Sequence, residues 1–194
     1  MADQEEKFDV VRYIRGSNAI EGIYDEKEVT QSLHAWEYLM GIGDELTHKD
    51  ICNVQKIITL NQTNLQPNQR GYYRNVSQTN VSVGGHNAPD YSYVEDLMKK
   101  WLADVPKMTP LIGHVRFESI HPFVDGNGRT GRMLYWLVCV INSVTPKYYG
   151  IDHDPELSEQ QNREWYYRLF DKKRVIELSN NKWGIGFTGE KAKK

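Results

Sequence analysis

Nine consecutive apolar residues, Met133 to Ile141, constrain the architecture of this chain more than any other stretch. The run is too short to cross a bilayer, which takes about 20 such residues. It is apolar all round, so it predicts a helix buried on every side with other helices packed about it. Elsewhere the dominant period is also helical. Phe8, Val11 and Ile14 recur at three-residue steps until Gly16 interrupts them. Val29, Leu33, Trp36 and Met40 form a second stripe, closed by Gly41 and Gly43. Thr47 followed by Asp50 has the form of a capping box ahead of Ile51, Val54 and Ile58. Between Pro89 and Pro106, Val94, Leu97, Met98, Trp101 and Leu102 lie on one helical face. A further helix through Leu111, Val115 and Ser119 must finish near Pro122, because the residue before a proline avoids the α region. Trp165, Tyr166, Leu169 and Phe170 mark a last one. Strand character is confined to Tyr72–Val83, where Val81-Ser82-Val83 alternates and ends in Gly84-Gly85, which reads as a hairpin. The prediction is an all-α bundle with one β-hairpin over about 71–85 and a loose tail over about 184–194.

A length of 194 residues accommodates one domain, and five Trp, twelve Tyr and five Phe can supply its core. The formal charge of −2 argues against non-specific binding to nucleic acid, which runs on excess Lys and Arg. No stretch predicts a membrane span, and the charged start Met1-Ala2-Asp3-Gln4-Glu5-Glu6 is not that of a signal peptide. Cys52 and Cys139 stand in no metal-ligand spacing and read as two buried thiols in a reducing compartment. The expected location is cytoplasmic, although delivery by a secretion machine would leave no mark here.

Chemistry concentrates in Asp125-Gly126-Asn127-Gly128-Arg129, between a helix ending at His121 and the buried helix beginning near Thr130. Glycines free the backbone to turn its N–H groups inward, and a following helix adds the positive end of its dipole. Arg129 and Arg132 stand three apart, hence on one helical face. Together these form an anion site suited to a polyphosphate, with Asp125 at its rim able to hold Mg²⁺ bridging phosphate oxygens. His121 is a general-base candidate near neutral pH. Three other motifs compete for the same letters. Gly126-x-Gly128-x-x-Gly131, with Asp152 about twenty residues on, satisfies the dinucleotide fingerprint, but the charged, proline-bearing segment before it is a poor central strand. A P-loop lacks its Lys and its Ser/Thr, and an EF-hand fails at Arg129.

The whole segment, His121-Pro122-Phe123-Val124-Asp125-Gly126-Asn127-Gly128-Arg129-Thr130-Gly131-Arg132, resembles the signature of Fic-domain proteins, His-Pro-Phe-x-Asp-Gly-Asn-Gly-Arg-x-x-Arg, at all nine defined positions. Phe117-Glu118-Ser119-Ile120, Gly71-Tyr72-Tyr73-Arg74 and Val81-Ser82-Val83-Gly84-Gly85 are similar to the family's flanks, as is Asn162-Arg163-Glu164-Trp165-Tyr166-Tyr167, less specifically. The resemblance spans roughly 17–170 and implies a single minimal Fic domain over 1–194. It implies transfer of AMP from ATP to a Ser, Thr or Tyr hydroxyl of a target protein, or of the chain itself. His121 would take the hydroxyl proton, and Phe123 would anchor the loop in the core. Asp125 would hold Mg²⁺, while Gly126, Asn127 and Gly128 would cradle the α- and β-phosphates. Arg129 would grip the phosphates and Arg132 the γ-phosphate. Val81, Ser82, Val83 and Gly84 would form the flap that pins a target's backbone by strand addition. Family members commonly pair, which leaves a homodimer open.

Ser17-Asn18-Ala19-Ile20-Glu21-Gly22 matches the family's inhibitory pattern, Ser/Thr-x-x-x-Glu-Gly/Asn, and implies an inhibitory helix at about 16–24. Glu21 would pair with Arg132 and so block the γ-phosphate. Within the same resemblance, relatives move other groups or remove AMP, although intact Gly126 and Gly128 favour AMP transfer. A non-catalytic nucleotide-sensing module is the reading from another class. His34, His48, His86, His114 and His153 form no ligand spacing and read as surface or core residues, with a supporting role open for His114.

Overall fold

Seven α-helices, four short 3₁₀ helices and one two-stranded ladder lie within the described residues 8–43, 45–83, 86–144 and 158–170 of the computed structural model. At the centre is α6 (Asn127–Ile141), in which Met133 through Cys139 are all buried. Packed on it are α1 (Val10–Ile20), α2 (Glu26–Met40), α3 (His48–Ile58) and α5 (Pro110–Ile120). Outside these, α4 (Val94–Asp104) covers α5 and α3, and α7 (Glu159–Tyr167) lies on α1. None of the described helices is long and apolar enough to cross a membrane.

Local signals explain the helix starts. The capping box at α3 is reciprocal: Thr47 Oγ1 accepts from Asp50 N–H at 3.2 Å, and Asp50 Oδ2 accepts from Thr47 N–H at 3.0 Å. Such a cap stabilises by about 1 kcal/mol. Asp25 caps α2 by accepting from Lys27 N–H at 2.7 Å, and Glu26 and Glu28 add negative charge to its positive end. Thr109 and Pro110 open α5. What fastens α1 to the bundle is an aromatic cluster. Phe8, Tyr13, Trp36 and Trp136 have ring centroids between 3.9 and 5.8 Å apart. The Tyr13 hydroxyl also donates to Arg132 O at 2.8 Å.

Several expectations need correction. Gly16 does not interrupt α1, which runs on to Ile20; the glycine is buried in mid-helix, where packing outweighs a propensity cost of about 1 kcal/mol. The buried face of α2 is Val29, Ser32, Ala35 and Leu39, whereas Met40 is exposed. Val140 breaks the all-round burial of the apolar run at 58% exposure. The central helix begins at Asn127, three residues before its expected start. Strand structure lies later than Tyr72: β1 (Ser82–Val83) pairs antiparallel with β2 (His86–Asn87), while 74–78 is turn. Tyr73 and Arg74 face inward as buried anchors instead of alternating along a strand. Gly84, Gly85, Asp152, His153 and the tail 184–194 lie outside the described residues.

Candidate active site

The site is built on the turn between α5 and α6. Pro122 cannot continue α5, and His121 caps it in the left-handed region, at φ 50° and ψ 62°. Asn127 then staples the turn: its Oδ1 accepts from Phe123 N–H at 2.8 Å and its Nδ2 donates to Phe123 O at 2.9 Å. Asn127's amide is thereby occupied, and what it can offer a ligand is its backbone N–H. Phe123 is fully buried against Tyr73 and Phe117, as a core anchor should be. Gln55 holds the turn from α3, donating to Asp125 O at 3.0 Å. Gly126, at φ 81°, is the N-cap of α6 and has no side chain with which to cap it, and the helix's first residues line a cavity.

That cavity has a volume of about 340 Å³ and is lined by Glu21, Ile23, Gln62, His121 and Val124 together with the continuous run Asp125 to Arg129. Both arginines are buried, but they reach different partners. Arg129 Nη1 lies 3.2 Å from Glu28 Oε2 of α2, and its Nε and Nη2 have no hydrogen-bond partner among the described residues. Arg132 turns to α1: Nε donates to Ser17 Oγ at 2.7 Å, and Nη2 donates to Ser17 O at 2.8 Å and to Glu21 Oε1 at 2.7 Å. The Tyr166 ring lies 5.0 Å from its guanidinium carbon, a cation–π distance. Arg132 Nη1 also lacks a partner among the described residues. Glycine at 128 makes the pair with Glu21 possible, because a Cβ there would collide with Glu21 Oε1 and lie 2.9 Å from Arg132 Nη1. Glu21's carboxylate thus lies at the start of α6.

Burial works against Glu21's charge, but Arg132, with Arg129 and His121 behind it, holds its carboxyl below the usual range. For His121, burial dominates and pushes the ring down to about 4, with Arg74 adding to the shift. The ring is therefore uncharged at neutral pH, and its pKa lies below the near-neutral value expected of a general base. Its Nδ1 faces Glu118 O at 3.3 Å, which assigns the proton to Nδ1 and leaves the Nε2 lone pair free. Burial pushes Glu118 up to about 8, against the pull of Arg132.

Glu118, Gln55 and Arg74 are site neighbours that spacing does not reveal, since their partners are distant in sequence or are backbone atoms. His114 is buried, with Nδ1 3.0 Å from Gly131 O and Nε2 3.3 Å from the Tyr166 hydroxyl, and burial lowers its ring to about 3. Of the expected flap, Val81 is half-buried and Ser82 and Val83 are exposed. Among the described residues, no group of three or more His, Cys, Asp or Glu is arranged to hold a metal ion.

The described residues thus form a mostly helical fold in which a helix start without a side-chain cap lies beside a histidine that is neutral at pH 7. Residues 45–139 match the model of the Fic/DOC family. Two Fic-family relatives are named protein adenylyltransferase Fic. The one from Drosophila grimshawi is 29% identical over 134 residues, covering 64% of this chain and 25% of its own. The one from Aedes aegypti is 28% identical over 138 residues, covering 66% and 25%. The chain thus spans about a quarter of the length of the curated relatives it matches. The fold is similar to that of a Fic family protein from Desulfovibrio desulfuricans G20, with a TM-score of 0.60, 22% identity, and 88% of this chain and 56% of that one covered. It is also similar to that of a Fic domain containing signaling protein from Bacteroides thetaiotaomicron VPI-5482, with a TM-score of 0.61, 18% identity, and coverage of 82% and 69%.

Proposed function

We propose that this chain is a Fic-family protein adenylyltransferase, moving AMP from ATP to a Ser, Thr or Tyr hydroxyl of a protein, and that Glu21 restrains it. The observation that carries the reading is the meeting, in one cavity, of a helix start without a side-chain cap, buried Arg129 guanidinium hydrogens without partners among the described residues, and a neutral imidazole. Phosphoryl chemistry of this kind needs positioning and charge neutralisation above all. The α6 N–H groups and Arg129 suit the α- and β-phosphates, and Arg132 suits the γ-phosphate once Glu21 leaves it. The target's hydroxyl oxygen bonds to the α-phosphorus as the bond from that phosphorus to the α–β bridging oxygen breaks. Pyrophosphate departs with the electron pair, and the hydroxyl proton passes to His121 Nε2. Asp125 and Glu21 both line the cavity, and with Glu21 held by Arg132, Asp125 is the carboxylate left to sit beside phosphate oxygens, a setting that fits Mg²⁺. When bound, Mg²⁺ supplies further neutralisation of phosphate charge.

The test is ATP labelled at the α-phosphate, incubated with the Glu21→Gly chain in a host lysate and read by mass spectrometry for a nucleotide adduct. His121→Ala in that background should bind ATP within about threefold of its parent and transfer nothing, since a positioned base contributes about 10²–10⁴-fold. A phosphoryl adduct without label in place of the labelled AMP adduct, or full transfer without His121, refutes the reading. A second reading draws on Glu21 and His121 lining the same cavity: there the carboxylate orients a water that removes AMP. Loss of AMP from a modified protein with the wild-type chain, and not with Glu21→Gly, distinguishes it.

A further inference from the structure

Arg74 is fully buried, yet among the described residues every hydrogen bond its side chain makes goes to a neutral oxygen. A guanidinium has five N–H hydrogens, and five acceptors surround this one. Nε donates to His121 O at 2.8 Å. Nη2 donates to Ile120 O at 3.3 Å and to Pro89 O. Nη1 donates to Thr79 O at 3.2 Å and to Asn80 Oδ1 at 3.5 Å. The backbone N–H of Arg74 adds a bond to Pro122 O at 2.8 Å.

These acceptors fall into two sets. Ile120, His121 and Pro122 are the end of α5 and the turn that carries the imidazole. Their carbonyls lack intrahelical donors and sit at the negative end of the helix dipole. Thr79 and Asn80 precede β1, and Pro89 follows β2, so they are the two stems of the hairpin. A plain cap for α5 would need the first set alone. The turn is also one that needs holding, because a non-glycine residue in the left-handed region costs roughly 1 kcal/mol or more.

We infer that Arg74 is a positioning residue that locks the His121 turn and both hairpin stems into one unit, so that imidazole and hairpin edge address the same incoming hydroxyl. The inference rests on the reading of His121 as proton acceptor and adds to it the residue that aims it. Lysine keeps the charge but has three hydrogens on a single nitrogen, and it cannot serve both sets.

The primary test follows the His121 ring nitrogens by NMR in the full chain with labelled histidine. The wild type should show a single tautomer with the proton on Nδ1, and Arg74→Lys should show both tautomers in exchange. An unchanged single tautomer in Arg74→Lys overturns the inference. In the Glu21→Gly background, Arg74→Lys should lower AMP transfer by at least about 30-fold, as expected of a base displaced by a fraction of an ångström. ATP–Mg²⁺ affinity should stay within about threefold, and transfer within threefold of the parent also overturns the inference. Should Arg74→Lys not fold, Asn80→Ala removes one acceptor from an exposed stem residue. It should shift the His121 ring signals and lower transfer several-fold, and ring signals identical to wild type refute the lock. A Glu21→Gly parent that transfers no AMP refutes the enzymatic reading, while the ring tautomer still decides the role of Arg74.

Discussion

Replacing Glu21 tests the proposed restraint quantitatively. Its Oε1 lies 2.7 Å from Arg132 Nη2, with the two side chains 31% and 0% exposed. Unit charges about 4 Å apart at an effective dielectric of about 20 attract by about 4 kcal/mol. Only part of that separates the locked state from the ATP-competent one, because Arg132 exchanges one anion for another. A charge-assisted hydrogen bond is worth roughly 1.5–3 kcal/mol net, and the wet third of Glu21 argues for the lower half. About 2 kcal/mol corresponds to roughly 30-fold. Glu21→Gly should therefore raise the initial rate of labelling from α-labelled ATP by about 30-fold at subsaturating nucleotide. Glu21→Gln keeps an acceptor for Nη2 but drops the charge, which leaves a neutral bond of about 1 kcal/mol. Its rate should rise only about fivefold. The assay compares initial incorporation into target and into the chain itself, at fixed salt. Equal rates for wild type and Glu21→Gly, or a Gln variant faster than the Gly variant, refute the electrostatic account.

Two further outcomes concern the scaffold. Asn127→Ala strips both hydrogen bonds from the buried Phe123 backbone, which costs roughly 2–4 kcal/mol and should lower Tm by about 6–12 °C; a drop under 2 °C means the turn is held elsewhere. Glu118, raised by burial to about 8, keeps its proton in the folded chain where the unfolded chain loses it. Its stabilising contribution is complete below about pH 4.5 and disappears as pH rises through about 8, on the order of 3–5 kcal/mol in all. Urea denaturation of Glu118→Gln should lack that decline between about pH 4.5 and about pH 8, and a decline equal to wild type contradicts the burial argument. His121 and His114 act in the opposite direction. Lowered to about 4 and about 3, they withdraw stability as pH falls below about 6.5, and Glu118→Gln should leave that acid limb in place.

Contacts between near neighbours in sequence were the legible ones. The Thr47–Asp50 box, the Val94–Trp101 face and the all-apolar stretch in α6 each follow from spacing a helix makes inevitable. The start of α6 was not legible from composition, because Gly-Asn-Gly has poor helix propensity and its role depends on Gly126 adopting a positive φ. Tyr73 and Arg74 carry the letters of a strand but serve as inward anchors, and only their tertiary partners disclose it. The Glu21–Arg132 pairing joins residues 111 apart. No periodicity predicts such a contact, and only the resemblance anticipated it. The Arg74 clamp reaches 47 residues to a backbone oxygen, so no side-chain pattern encodes its partner.

Where Glu21 sits on α1 bears on how a restraint of this kind could be relieved. The body of that helix is fastened by four aromatic rings and the Tyr13 bond. Glu21 itself stands past the last full turn, at the C-cap, with Gly22 following at φ 72°. Helix ends fray at little cost, whereas undocking a ring cluster does not. Under the proposed restraint, a triphosphate competing for Arg132 would work against the helix tip while the rest stays seated, so the response to nucleotide would be graded and the bundle would stay intact.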